Sequence, residues 1–345
     1  MDPVSLLRRM VEIPSLSGKE GPLAAFLVET MHSLGFHASI DEAGNAVGIL
    51  GDGPKEIVLL GHMDTVPGIV PVRVEDGKLY GRGSVDAKGP LATFIIAAAK
   101  IGALAGKRIV IIGATEEEAA SSKGAKRAIR TFSPNFCVIG EPSGTRAITL
   151  AYKGRIVLAY DAGAEAAHSA AQTGSILEEG VEFWNRVKRW AAEFNVNKKK
   201  MFDCLDPALR EIRSENDGLV ESIQLRASIR MPLGLSPEDV RRQIEGLKGT
   251  TGTLRFWGAD PPYRASKNTP LVRAFLQAIR EQGVEPAFKV KSGTSDMNVV
   301  GQAWNCPIVA YGPGDSNLDH TPNEHLDMAE YHQAIAILSR VLVLL

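Results

Sequence analysis

The sequence lacks an excess of charge of either sign and has no long apolar run. Its 39 Lys and Arg residues nearly balance 40 Asp and Glu residues, so the formal net charge is −1. This balance gives no electrostatic reason to expect nucleic acid as a partner. No apolar stretch reaches the ~20 residues that a membrane-spanning helix needs, and charged residues interrupt the first twenty positions, unlike a signal peptide. We therefore expect a soluble protein with no membrane partner.

Cysteine is also scarce, with Cys137, Cys204 and Cys306 as the whole set. The odd number and wide spacing argue against a disulfide framework and are typical of a reducing cytoplasm, where we expect the protein to be located. We interpret the three as small buried hydrophobic residues. A chain of 345 residues with 44% hydrophobic content is large enough to form two domains.

The opening part of the chain has the pattern of an α/β domain. Short apolar runs at residues 56–60 and 108–113 predict strands, and apolar residues at helical spacing predict helices at 23–34 and 90–101. Alternation of strands and helices in this order is typical of a sheet covered by helices.

The pattern changes after Glu141 and changes back near the Asp260-Pro261-Pro262 turn. The predicted elements in between are a β-rich stretch at 147–161, a helix at 176–194, strands at 221–231 and 253–257, and a helix after Ser236-Pro237. They indicate a small sheet with two helices on one face. We predict that residues 147–263 are an insertion into a larger domain formed by 1–146 and 264–345.

Acidic and imidazole side chains that can bind metal stand out along the larger domain. Six lie in the N-terminal part and one lies near the C-terminus: His62, Asp64, Asp86, Glu116, Glu117, Glu141 and His320. Two divalent ions about 3.5–4 Å apart need a shared carboxylate, a His and a carboxylate each, and open positions for water. The set supplies each part, and the insertion explains why His320 is distant in sequence.

His62 and Asp64 come just after an apolar run, at the predicted carboxyl end of a strand. Open α/β sheets bind ligands at this end. The two-residue period of a strand places His62 and Asp64 on the same side, so Asp64 can accept the second ring N–H of His62 and orient it. Asp86 lies in a glycine-rich segment, residues 80–89, that allows the backbone to approach two ions closely. We predict that Asp86 is the bridging carboxylate.

Adjacent acids follow the next predicted strand, at Glu116, Glu117 and Glu118. Their mutual repulsion is costly unless a cation or a proton offsets it, so one can bind metal while another transfers protons. Taken alone, these acids also fit a helix N-terminus, a His-x-Asp pair is often structural, and Glu141 fits a simple turn. The repeated position of each acid after an apolar run favours the metal site.

Together these motifs resemble those of the aminoacylase, carboxypeptidase G and succinyl-diaminopimelate desuccinylase metallopeptidases, over nearly the whole chain. The motifs are Gly61-His62-Met63-Asp64-Thr65-Val66-Pro67, Gly81-Arg82-Gly83-Ser84-Val85-Asp86-Ala87-Lys88-Gly89, Glu116-Glu117, Gly140-Glu141-Pro142 and His320. The resemblance implies an α/β two-metal exopeptidase-like catalytic domain, interrupted by a ferredoxin-like α+β lid that often dimerises. It implies two divalent metal ions, Zn²⁺ or Co²⁺, and a homodimer formed through the lid.

The resemblance also assigns roles to individual residues. One ion takes His62, Asp86 and Glu141, and the other takes Asp86, Glu117 and His320. Glu116 is then the catalytic base, which takes a proton from the attacking water and gives it to the leaving amine. Asp64 supports the ligands, and the peptide bond between Asp86 and Ala87 is expected to be cis.

Further assignments concern the substrate and the lid. The resemblance implies a lid histidine as an oxyanion donor from the partner subunit, and His168 fits, with Ala167 in place of the usual glycine. The substrate carboxylate is expected at Arg230 and at Gly293, Thr294 and Ser295. From the residues alone, Ser295 or Asp296 also fits an ordinary helix N-cap, and Arg230 an ordinary ion pair within the lid.

Finer motifs resemble one branch of the family, the hydrolases that release lysine or ornithine from an amino-group carrier protein. They are Gly140-Glu141-Pro142-Ser143-Gly144, Ser292-Gly293-Thr294-Ser295-Asp296-Met297-Asn298 and Leu318-Asp319-His320-Thr321-Pro322-Asn323-Glu324. In that branch the enzyme cuts the amide between the carrier's C-terminal glutamate side chain and the α-amino group of lysine or ornithine, in lysine or arginine biosynthesis. The implied partner is an acidic amino-group carrier protein.

Two details of this interpretation rest on charge. Acids such as Glu118, Asp315 or Asp319 can pair with the cationic side chain of the released amino acid. The basic residues at 186–189 and 198–200 can meet an acidic carrier, although such residues are also typical of a solvated surface. Two other functions stay open: a small-molecule deacylase or dipeptidase acting on acetylornithine, acetyl-lysine or succinyl-diaminopimelate, and a metal-free binding protein, which the complete ligand set disfavours.

Overall fold

The computed structural model describes residues 2–165, 175–249 and 251–345. His168, the predicted oxyanion donor, lies outside these ranges. Within them, no helix combines the length and the apolar character needed to cross a membrane.

Helices and strands alternate along the described chain. The helices are α1 Pro3–Glu12, α2 Gly21–Ser33, α3 Lys88–Ile101, α4 Lys123–Thr131, α5 Ile176–Asn195, α6 Pro237–Leu247, α7 Pro270–Glu281, α8 Asp296–Ala303 and α9 Met328–Leu344. The strands are β1 His37–Ile40, β2 Ala46–Leu50, β3 Lys55–His62, β4 Arg73–Glu75, β5 Lys78–Tyr80, β6 Lys107–Ala114, β7 Phe136–Gly140, β8 Ala147–Tyr152, β9 Gly154–Glu165, β10 Asp206–Asn216, β11 Val220–Met231, β12 Thr253–Asp260, β13 Tyr263–Arg264, β14 Ala287–Lys291, β15 Ile308–Ala310 and β16 His325–Asp327.

The chain forms two units. The first unit contains Met1–Ala151, Ala265–Val290 and Ser295–Leu345, and the second contains Tyr152–Arg264 and Lys291–Thr294. Most of β8 belongs to the first unit, where Thr149 pairs with Ala310 of β15, and residues 291–294 belong to the second unit. The insertion bounds of 147–263 stay a prediction.

A mixed sheet forms the centre of the first unit, in the strand order β1-β2-β6-β3-β7-β15-β8, with β14 also paired to β8. Strand β3 pairs in parallel with both β6 and β7. The central positions Ile57–Leu60 of β3 and Ile109–Ile112 of β6 are fully or almost fully buried. Such unbroken apolar runs are typical of parallel strands that are covered on both faces.

The carboxyl ends of β3, β6 and β7 lie side by side at one edge of this sheet. Gly61 of β3 pairs with Gly113 of β6 on one side and with Gly140 of β7 on the other. The segments that continue from these three strands carry His62, Glu116–Glu118 and Glu141. Parallel pairing in this register therefore brings together candidates that are separated by up to eighty positions in the sequence.

The second unit has the element order β9-α5-β10-β11-α6-β12 and an antiparallel sheet in the order β10-β11-β9-β12. This βαββαβ arrangement is ferredoxin-like. Its core joins the sheet to both helices through side chains such as Leu158, Leu225, Phe183 and Val240. The predicted α/β fold with a ferredoxin-like α+β insertion is thus confirmed.

The row of glycines at the sheet edge gives a testable constraint on packing. A Cβ atom at Gly140 would lie 3.0 Å from the Gly61 Cα and from the Phe94 ring, so the neighbouring strand would have to shift. We expect Gly140→Ala to lower the free energy of unfolding by about 1–3 kcal/mol, measured by denaturant titration. Gly21→Ala is the matched control, because a Cβ there meets no atom within 4 Å. Equal stability of the two variants would contradict the packing.

Candidate metal centre

His62, at the end of β3, is 2% exposed and is held from both sides of its ring. Its Nδ1 lies 3.0 Å from the backbone carbonyl oxygen of Asp64 and 3.5 Å from the Asp64 Oδ1. Its Nε2 lies 3.3 Å from the Asp86 Oδ1. Asp64 therefore orients the ring through both its backbone carbonyl and its carboxylate, with the carbonyl oxygen nearer to Nδ1.

The Asp64 carboxylate fixes the loop that follows β6. Its Oδ1 accepts the backbone N–H of Glu117 at 3.0 Å, and its Oδ2 accepts that of Glu118 at 3.0 Å. The Ser17 hydroxyl donates to the same Oδ2 at 2.7 Å, a contact with no local sequence signal. Burial opposes ionisation of Asp64, yet the hydrogen bonds from His62, Ser17 and the backbone lower its pKa. The buried Asp64 carboxylate thus fixes the backbone positions of Glu117 and Glu118.

Asp86 lies between the two histidines of the cluster. Its Oδ1 is 3.3 Å from the His62 Nε2, and its Oδ2 is 3.0 Å from the His320 Nε2. The peptide bond between Asp86 and Ala87 is cis, as the family resemblance implies. Each carboxylate oxygen therefore faces a different imidazole, which is the arrangement that a bridging ligand requires.

The three consecutive glutamates have different surroundings. The Glu118 Oε1 lies 2.8 Å from the His320 Nε2, whereas the Glu116 Oε2 accepts from the Ser121 hydroxyl at 2.5 Å, with the Lys123 ammonium 3.9 Å from its other oxygen. Glu117 forms a possible ligand group with His62 and Glu118. The expectation paired Glu117 with His320 and gave Glu116 the catalytic position, whereas in the structure the carboxylate beside His320 is that of Glu118.

The backbone of Glu116 gives the physical reason for this difference. Its φ of 57° lies in the left-handed region, which residues other than glycine seldom adopt. The carboxylate of Glu20, which is 4% exposed, accepts the Glu116 N–H at 3.0 Å and stabilises this conformation. The turn at Glu116 directs its side chain to Ser121 and Lys123, and the next two glutamates continue into the cluster.

Three overlapping groups of side chains in the described residues can hold a metal ion, and within each the ligand atoms lie within 4.8 Å of one another. They are His62 with Asp86 and Glu141, Asp86 with Glu118 and His320, and His62 with Glu117 and Glu118. Asp86 belongs to two of these groups. The expected ligands His62, Asp86, Glu141 and His320 are thus brought together at one edge of the sheet.

The pKa values of two residues in this cluster indicate a negatively charged environment, which favours the binding of cations. Burial raises the pKa of Glu117 well above its ordinary value, and the carboxylates of Glu141 and Glu118 raise it further against the effect of His62. Hydrogen bonds to Asp86 and Glu118 raise the pKa of His320 to about 10. The His320 shift and the carboxylate contribution to the Glu117 shift reflect local negative charge, which divalent cations would offset. Mixed imidazole and carboxylate donors suit Zn²⁺ or Co²⁺.

The expected substrate-binding residues have identifiable partners. In the second unit, the Arg230 Nη1 donates to the Thr294 hydroxyl at 2.7 Å, two positions before the chain enters α8. In the first unit, Ser295 is the N-cap of α8, where its hydroxyl accepts the Met297 N–H at 3.2 Å. Binding of a substrate carboxylate by Arg230, Gly293, Thr294 and Ser295 stays a prediction.

Comparisons with known proteins identify the family of this chain. The model of the peptidase family M20/M25/M40 matches residues 58–343. A "[LysW]-lysine hydrolase" of Deinococcus radiodurans is 49% identical over 344 residues, covering 98% of this chain and 95% of that protein. A "Putative [LysW]-lysine/[LysW]-ornithine hydrolase" of Thermococcus kodakarensis is 39% identical over 340 residues, covering 98% of this chain and 91% of that protein.

Solved structures show the same fold at low identity. An M20 family metallo-carboxypeptidase from Sulfolobus solfataricus superposes with a TM-score of 0.80 at 18% identity, covering 100% of this chain and 99% of that one. A tripeptidase from Staphylococcus aureus gives a TM-score of 0.79 at 19% identity, covering 99% and 97%. The predicted hydrolase family is confirmed by the family match and by the two relatives. The chain therefore belongs to the peptidase family M20/M25/M40.

Proposed function

We propose that this protein is a two-metal amide hydrolase that releases lysine or ornithine from the C-terminal glutamate side chain of an amino-group carrier protein, in lysine or arginine biosynthesis. The observation that carries the reaction type is the Asp86 carboxylate, shared by two groups of possible metal ligands. The carrier substrate is supported by the names of the two relatives, which cover almost the whole chain. Such a reaction takes place in the cytoplasm, in agreement with three free cysteines.

The proposed ligand assignment follows the observed distances. His62, Asp86 and Glu141 would hold one ion, and Asp86, Glu118 and His320 would hold the other. When bound, Zn²⁺ or Co²⁺ ions would lower the pKa of a water molecule and polarise the amide carbonyl. Glu118 replaces Glu117 in this assignment because its carboxylate lies beside His320.

Glu117 is the proposed general base. It lies in the interior of the cluster, next to His62 and Glu118, and its N–H is fixed by the Asp64 carboxylate. A carboxylate with a raised pKa accepts a proton readily from water and can return it to the leaving α-amino group. Glu116 is unsuited to this role because its carboxylate is bonded to Ser121.

A pair of matched variants tests this assignment. We expect Glu117→Gln to lower kcat by about 10²- to 10⁴-fold, because the amide cannot accept the proton of the attacking water. Glu116→Gln should leave kcat within about threefold of wild type, since that side chain lies outside the cluster. Steady-state kinetics with carrier-linked lysine, with metal content measured in parallel, gives the comparison. A larger loss in Glu116→Gln would restore the original sequence-based assignment.

A basic surface beside the site supports an acidic protein as substrate. Helix α4 contributes Lys123, Lys126, Arg127 and Arg130 to a surface cavity of about 420 Å³, which Glu116 and Ser121 also line. We call this surface the α4 basic face. Opposite charges at such a surface increase association rate and orient the partner.

The basic stretch at 186–200 offers a weaker alternative. Within the second unit, Arg186 donates to the Leu247 carbonyl at 2.8 Å and to Glu179 at 2.9 Å, and the Lys198 ammonium lies 5.0 Å from the centre of the Phe194 ring. These contacts occupy part of the stretch within its own unit. Homodimerisation through this unit stays a prediction.

Charge reversal on the two surfaces tests the carrier substrate. We expect Lys126→Glu with Arg130→Glu to raise KM for carrier-linked lysine about tenfold, because like charges then repel an acidic carrier. The same variant should leave KM for acetyl-lysine unchanged. Lys199→Glu with Lys200→Glu is the matched control on the other basic stretch, because it changes the charge by the same amount. If wild type hydrolysed acetyl-lysine or acetylornithine faster than carrier-linked lysine, the small-molecule deacylase would be the correct function.

A further inference from the structure

Glu324 is a buried residue whose carboxylate accepts hydrogen bonds from the loop that contains Asp86. Its side chain is 0% exposed. Its Oε1 accepts the backbone N–H of Val85 at 3.0 Å and that of Asp86 at 3.2 Å, and its Oε2 accepts from the Arg82 Nη1 at 2.7 Å. One side chain therefore contacts the loop at three points, at the residue before Asp86, at Asp86 itself and at Arg82.

The position of Glu324 is itself fixed by its neighbours. The backbone carbonyl of Glu324 accepts the Gly81 N–H at 3.2 Å, and the next residue begins β16, where His325 pairs with Tyr80 of β5. Arg82 is anchored in turn, since its Nε donates to the Gly68 carbonyl at 3.2 Å. Because both Glu324 and Arg82 are held by other contacts, neither can move far if a hydrogen bond between Glu324 and the Asp86 loop is lost.

Glu324 also connects two members of the cluster, His320 and Asp86. It lies four positions after His320, so one short segment carries both a cluster histidine and the group that holds the Asp86 backbone. The Asp86 carboxylate faces His320 at 3.0 Å. The geometry is analogous to that of Asp64, whose two oxygens accept the consecutive N–H groups of Glu117 and Glu118.

We propose that Glu324 is a positioning residue, which fixes the backbone at Val85 and Asp86 so that each Asp86 oxygen faces a different histidine. This inference rests on the two-metal function proposed above and deepens it. Residues that orient metal ligands by hydrogen bonding commonly change metal affinity or activity 10- to 100-fold when they are replaced. Glu324 touches no reacting group in this arrangement and acts only through Asp86.

Graded replacements of Glu324 test the proposal against a purely structural role. Glu324→Gln keeps a carbonyl acceptor for the two N–H groups but loses the charge opposite Arg82, whereas Glu324→Ala loses both. The matched control is Glu56→Gln, which breaks a carboxylate contact with Arg108 and with the Ser133 N–H. Glu56 lies at the start of β3, at the opposite end of the strand from His62.

The readouts are Zn²⁺ affinity of the apoprotein, measured by chelator competition, together with Tm and the separate values of kcat and KM. We expect Glu324→Gln to weaken Zn²⁺ affinity and lower kcat by about tenfold, and Glu324→Ala by about 100-fold, with KM little changed. Glu56→Gln should lower Tm and leave Zn²⁺ affinity within about threefold. If Glu324→Ala does not fold, Glu324→Gln still decides the question.

Two results would overturn the inference in different ways. If the Glu324 variants lower Tm as the control does, while Zn²⁺ affinity and kcat equal those of wild type, Glu324 has a structural role alone and the two-metal function stands. If wild-type protein binds no Zn²⁺ and hydrolyses no amide, the proposed function fails and the role of Glu324 fails with it.

Discussion

Repulsion among the clustered carboxylates of Asp86, Glu117, Glu118 and Glu141 is the constraint on which the rest of the site depends. Glu117, Glu118 and Glu141 follow the carboxyl ends of β6 and β7, Asp86 lies in the turn before α3, and all four are largely withdrawn from water. Like charges in such a setting need protons or cations nearby. The fold supplies two imidazoles and holds the loops by buried carboxylates that accept backbone N–H groups. The carboxylates outnumber the imidazoles, and a pair of divalent ions would offset the negative charge that remains.

Much of this arrangement could be predicted from local sequence. Strands β3, β6 and β7 are continuous apolar runs, and the acids that follow them had to meet at one edge once the pairing was parallel. The strand and helix patterns predict an insertion with a small sheet and two helices on one face, and the family resemblance implies that it is ferredoxin-like. The pairing of β8 is not predictable in this way, because β8 is apolar and fully buried and nothing in its own residues shows that it pairs with β15 of the larger domain.

The identity of the glutamate beside His320 could not be predicted from the run Glu116–Glu118 alone. It depends on the left-handed backbone of Glu116, which is stabilised by Glu20, the residue that precedes α2. The contacts of Ser17 with Asp64 and of Glu324 with Asp86 also join residues that are far apart in the sequence. Tertiary hydrogen bonds, rather than local propensity, thus decide which neighbouring acid enters the cluster.

The central claim is that Asp86 joins two metal sites and that Glu118 belongs to the second. Calorimetric titration of the metal-free protein with Zn²⁺ tests it most directly, using wild type, Glu118→Ala and Glu116→Ala. The account predicts two ions per chain for wild type and for Glu116→Ala, and one tightly bound ion for Glu118→Ala. A single ion in wild type, or loss of an ion in Glu116→Ala with two retained in Glu118→Ala, would contradict it.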